Sequence, residues 1–109
     1  MYDIRAALSR AGVPCMRSTA RRGEEGLPDI YATFSARSDP VQWQDDQPSA
    51  LSVAATVRLV SGKNPTAAGA KIRREMADEG YELIYEEDDW AEGAKQYELI
   101  SYYRALRFL

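Results

Sequence analysis

The chain has no histidine and a single cysteine, Cys15, in 109 residues. The first absence removes the commonest general base and metal ligand, and with it any Cys–His nucleophile pair. The second excludes an internal disulfide and a zinc site resting on thiolates. No apolar run approaches the roughly 18 residues that span a bilayer as a helix, so no membrane partner is expected. The start, Met1-Tyr2-Asp3-Ile4-Arg5, has no apolar leader core, which points to a cytosolic protein. There is no glycine-rich phosphate loop. Lys and Arg number 14 against 17 Asp and Glu, a net charge of −3 that gives no support to specific nucleic-acid binding. Ser, Tyr and Lys remain as reactive groups, but nothing in their spacing assigns a catalytic residue or a cofactor.

The hydrophobic content, 45%, suffices for one domain over residues 1–109. Ile4, Ala7, Leu8 and Ala11 recur at helical spacing, with Asp3 as cap and Gly12 and Pro14 as stop. Val13–Thr19 reads as a short strand, and Arg21–Gly26 as an exposed loop. Pro28–Arg37 and Leu51–Val60 alternate as half-buried strands. Between them Ser38–Ser49, with Pro40, Pro48 and Asp45-Asp46, reads as a long loop or splayed hairpin tip around Trp43. Asn64 and Pro65 open a second helix whose buried stripe is Ala68, Ile72 and Met76, and Gly80 closes it. Tyr81–Tyr85 and Tyr97–Leu109 form a last hairpin. Both faces of its second strand are apolar or aromatic, which makes that strand central or covered on both sides. The expected fold is α+β: a mixed or antiparallel sheet of four to five strands, two helices on one face, in the order α-β-β-β-α-β-β.

Charge is segregated along the chain. Eight acids fall within residues 79–98 against one base, Lys95. The run Glu86, Glu87, Asp88, Asp89 reads as an acidic turn. It could hold a divalent cation, lie solvated, or contact a protein; hard cations need oxygens converging from a shaped loop, so no metal is assigned. Arg17, Arg21 and Arg22 make a basic loop without interleaved aromatics, read as a partner contact or a solvated stretch rather than a phosphate site. Lys71–Glu75 and Arg74–Asp78 have the spacing of exposed helix ion pairs. Cys15 reads as a small, partly buried apolar residue. Five of the seven tyrosines lie in the last hairpin, where interface contact competes with ordinary strand propensity as the explanation.

Several stretches together resemble a phage family: Ala11-Gly12-Val13-Pro14 after the first helix, Leu27-Pro28-Asp29-Ile30-Tyr31, the aromatic-acidic Trp43-Gln44-Asp45-Asp46, Lys63-Asn64-Pro65 before the second helix, and Tyr81–Tyr85 with Tyr97–Tyr102. The chain resembles the small tail-completion or tail-terminator proteins of long-tailed phages and prophages. That resemblance implies a non-enzymatic, cofactor-free structural protein. It would form a homo-oligomeric ring, cap the tail tube and meet the head-connector proteins, in the virion tail after assembly in the host cytoplasm. Arg17, Arg21, Arg22, Trp43 and Glu86–Asp89 are the expected interface residues, the acidic and basic segments pairing between neighbours. A monomeric bacterial ligand- or partner-binding regulatory domain is the alternative of a different class, and a metal-dependent hydrolase using the acidic run a third.

Overall fold

The computed structural model describes residues 2–16, 26–93 and 95–109. Its elements run α1 (Ile4–Arg10), β1 (Ile30–Gln44), β2 (Gln47–Ser61), α2 (Thr66–Asp78), β3 (Glu82–Ala91) and β4 (Gln96–Phe108). The four strands form one antiparallel sheet in the order β1-β2-β4-β3. The fold is therefore α+β with an all-antiparallel sheet.

Local chemistry fixes both helices. Asp3 caps α1 by accepting the Ala6 N–H at 3.0 Å. Gly12 (φ +75°) ends it: the Val13 N–H donates to the Leu8 carbonyl and the Gly12 N–H to that of Ser9, a Schellman closure. The same closure ends α2 at Gly80 (φ +98°), where the Tyr81 N–H reaches the Met76 carbonyl. At the start of α2 the Asn64 side chain accepts the Thr66 N–H at 3.0 Å, while Pro65 occupies the cap position itself. Asn64 thus caps from one residue earlier than the sequence suggests.

Ile72 and Met76 are buried, joined in one core by Ile4, Ala7 and Leu8 of α1, Val53, Ala55, Val57 and Leu59 of β2, and Tyr103 and Ala105 of β4. Alternation puts these strand residues on one face, so both helices cover the same side of the sheet. The helices are also tied to each other. Arg10 donates to Glu75 at 2.7 Å and to Glu79 at 2.8 Å, and Glu79 accepts the Asp3 N–H at 2.8 Å. Glu75 is thereby drawn to α1, and neither Lys71–Glu75 nor Arg74–Asp78 is among the ion pairs of the described residues.

Three expectations change. Val13–Thr19 is not a strand over its described part: Cys15 makes only an isolated parallel bridge to Ala32, through the Met16 N–H and the Pro14 carbonyl. Pro14 has no N–H to extend a ladder. Cys15 itself is partly buried against the core, as expected. Ser38–Ser49 is not a long loop but the end of a hairpin, paired rather than splayed, because β1 and β2 run on for 15 residues each into a tight turn. Asp45 (φ +51°) and Asp46 (φ +62°) make that turn in the left-handed region favoured by two-residue hairpins. Pro40 does not interrupt β1. Ala32 turns its N–H and carbonyl away from β2, and Pro40 lies at the same parity, where a ladder bond is not required. Finally, Glu86–Asp89 are strand residues of β3, and the chain reverses only after that strand ends at Ala91.

Two measurements test this packing. Ile72→Asp would bury an unpaired carboxylate at several kcal/mol, against a total stability of about 5–15 kcal/mol; circular dichroism should show an unfolded or deeply destabilised chain, and an unchanged melt would refute the core. The hydrogen bond from the Asp3 N–H and the bond from Arg10 hold the Glu79 carboxyl below its ordinary value of 4.5. A lowered carboxyl stabilises the fold above the unfolded-state value and loses that effect as pH falls through the folded one. The melting-temperature gap between wild type and Glu79→Gln should thus be widest at neutral pH and shrink below pH 4.5.

Candidate protein-interaction surface

The β3–β4 pairing decides what the acidic run can do. Cross-strand partners share a face, and β3 carries a register shift between Leu83 and Tyr85. Leu83 pairs with Tyr103 on the helix side, but Tyr85 pairs with Tyr102 on the other. The extra residue, Ile84, re-aims everything after it. Glu86 and Asp88 therefore point to the helix side, opposite Ser101 and Leu99. Glu87 and Asp89 point the other way, opposite Ile100 and Glu98.

Glu86 is fully engaged. Arg73 of α2 donates to both of its oxygens at 3.1 Å, and the Ser101 hydroxyl donates to one at 3.1 Å. Beside this cluster the Tyr103 hydroxyl is buried with no hydrogen-bond partner among the described residues. Burial, and secondarily the Glu86 charge, push that phenol up to about 12, so it stays protonated at neutral pH. Tyr102 is raised as well, by burial first and then by Glu87. Neither phenol is tuned toward proton transfer near pH 7.

The helix-free face is mixed. Tyr31 and Val60 are fully buried there beneath Met16 and Leu27. Farther along, Tyr85 and Tyr102 stack at 4.3 Å, with half of Tyr85 exposed. Arg58 donates to Glu98 at 3.1 Å from Nε, and Gln96 donates to the same carboxylate oxygen. β4 is central, as its two apolar faces suggested, but its outer apolar set is not covered throughout: Leu106 is 50% and Phe108 68% exposed.

Exposed apolar side chains collect at the far end of the β1–β2 hairpin. Trp43 is 60% exposed there and Val41 55%. Trp43, Phe108 and Leu109 line one hollow of about 470 Å³. A second hollow, of about 520 Å³, lies at the start of α1 between Arg5 and Arg107, with Phe34 and Val53 among its walls.

Of the sequence-derived residues, Trp43 and Glu86–Asp89 lie at separate places on the sheet, and Arg17, Arg21 and Arg22 lie outside the described residues. The expected pairing of the acidic run with that basic segment therefore also falls outside the described residues. Sequence reasoning missed the C-terminal apolar residues and the Arg5–Arg107 pair. The first had a signal, the apolar second face of β4; the second had none, because 102 positions separate its members. Among the described residues no group of three or more His, Cys, Asp or Glu could hold a metal, and no helix is long and apolar enough to cross a membrane. Comparison of the chain with protein-family models and with curated proteins found no match.

Alternation along β3 sends successive carboxylates to opposite faces, which prevents the convergence a hard cation needs. Millimolar Ca²⁺ or Mg²⁺ should leave the melting temperature unchanged, as should EDTA. A reproducible rise of several degrees with either ion would signal a site by mass action.

Proposed function

We propose that the chain is a non-enzymatic structural subunit of a phage or prophage tail, of the tail-completion or tail-terminator kind, acting as a homo-oligomeric ring at the end of the tail tube. The observation that carries this reading is the arm. β1 and β2 extend well past the helices, the distal half of β1 is exposed, and the molecule measures 53 × 23 × 23 Å. At the arm's end Val41, Trp43, Phe108 and Leu109 are each more than half exposed.

Such a group of large apolar side chains, set on rigid paired strands, is unusual for a surface that meets only water. A rigid ladder also lowers the ordering cost of binding, because the side chains are presented before the partner arrives. The single sheet with both helices on one side supports this reading, although the first strand of the expected order is reduced to the bridge at Cys15. Tail-tube and head-connector proteins are the partners this role requires.

The test is direct. At high concentration, or in the presence of purified tail tubes, the chain should assemble into closed rings visible by negative-stain electron microscopy and should decorate one tube end. Trp43→Asp should weaken tube binding about 30-fold, the loss of a hot-spot contact of about 2 kcal/mol, with an unchanged melt. A chain that stays monomeric at millimolar concentration and ignores tail tubes would instead be the monomeric partner-binding domain.

A further inference from the structure

Two unlike charged features have no ion-pair partner among the described residues. The first is the hollow at the start of α1. The Arg5 guanidinium lies 5.7 Å from the Phe34 ring centre, and that of Arg107 5.9 Å from the Tyr2 ring centre. Neither arginine belongs to an ion pair among the described residues. A cation over an aromatic face keeps its charge and its outward N–H groups, so both remain open to an anion. Asp3 is the only acid among the hollow's lining residues, and its carboxylate is occupied in capping α1.

The second feature is the end of the β3–β4 hairpin. Glu86 is held by Arg73, but Glu87, Asp88 and Asp89 belong to no ion pair among the described residues. Asp89 accepts only the N–H of its neighbour Trp90, at 2.8 Å. Trp90 rests against Tyr97 at 4.5 Å and is 39% exposed, on the face it shares with Asp88, while Glu87 and Asp89 flank it on the opposite face of the same hairpin.

These features cannot meet in one copy. Trp90 pairs with Tyr97, and Tyr97 with Ser61 of β2, whereas the hollow lies at the level of Val53. Eight residues of rigid strand separate the two levels, about 27 Å at roughly 3.4 Å per residue.

We propose that the acidic, Trp90-bearing end of the β3–β4 hairpin of one copy docks in the Arg5–Arg107 hollow of the next. This rests on the ring reading and names the contact that would build the ring. The charges are complementary, and the hollow, about 520 Å³, falls in the size range that accepts an aromatic side chain together with a carboxylate. The contact joins two different surfaces, so it is head-to-tail and can close a ring when the rotation between copies permits. It is a different contact from the expected pairing of the acidic run with Arg17, Arg21 and Arg22, which lie outside the described residues.

Charge reversal tests it, by sedimentation velocity on the full chain at low and moderate salt. Arg5→Glu with Arg107→Glu should weaken self-association at least 10-fold, roughly the scale of losing close charge pairs at an interface. Glu87→Lys with Asp88→Lys and Asp89→Lys should do the same. Mixing the two deficient variants should restore assembly, because each reversed surface then meets its opposite; a variant that merely failed to fold could not be rescued this way. The milder pair Arg5→Gln and Arg107→Gln, with thermal melts on every variant, guards against misfolding. If wild type associates and the reversed variants associate equally well, or if well-folded variants fail to complement on mixing, this contact is wrong and the ring reading stands. If wild type remains monomeric at millimolar concentration and on tail tubes, both fall together.

Discussion

The position of β4 between β2 and β3 is the constraint from which the rest of the molecule follows. A strand with a neighbour on each side has all its backbone groups committed, so its side chains are fixed to two faces with no freedom of register. One set, Leu99, Ser101, Tyr103 and Ala105, goes beneath the helices; the other, Ile100, Tyr102, Leu106 and Phe108, goes to the opposite face. Leu99 also sets how near α2 approaches. A Cβ on Gly69 would lie 2.7 Å from Leu99 Cδ2, so the helix sits against this strand through its one residue without a side chain.

The single extra residue at Ile84 turns that constraint into an electrostatic pattern. Without it, simple alternation would keep Tyr85 on the helix side with Leu83 and send Glu86 outward. With it, Glu86 reaches Arg73 and Ser101, and Tyr85 stacks on Tyr102. One acid is used to fasten β3 to α2, and the next three are left over. The segregated charge of the sequence is therefore divided between holding the fold and facing outward, a division that composition cannot express.

Much of the fold was legible because periodicity was strong and its punctuation was chemical. Ile72 and Met76, the Asp3 cap, the left-handed Gly12 and Gly80, and the inward set of β2 all follow from spacing and residue type. What was misread depended on partners distant in sequence. Pro40 looks like a breaker until its place on an outer edge is known, and Asp45-Asp46 looks like loop because two aspartates seldom carry a two-residue hairpin. The run Glu86–Asp89 looks like a turn since nothing local reveals that four acids can sit in a ladder. Of the candidate surface, Trp43 was legible as a lone aromatic among polar neighbours. Arg5 and Arg107 became a pair only when α1 settled over the end of β4.

Pro40 has a further consequence. Beyond the bridge at Ala32, the outward N–H and carbonyl groups of Phe34, Ala36 and Ser38 have no backbone partner among the described residues. A strand edge of that kind is a template for another chain. Pro40 ends the run by withdrawing the next donor, and the irregularity at Val41 bends the ladder away. The open template is thus only about three outward positions long, too short for stacked copies to grow into a continuous cross-strand fibre. The β1 edge is thereby protected from pairing through its backbone, and the exposed side chains near its end are what it offers to its surroundings.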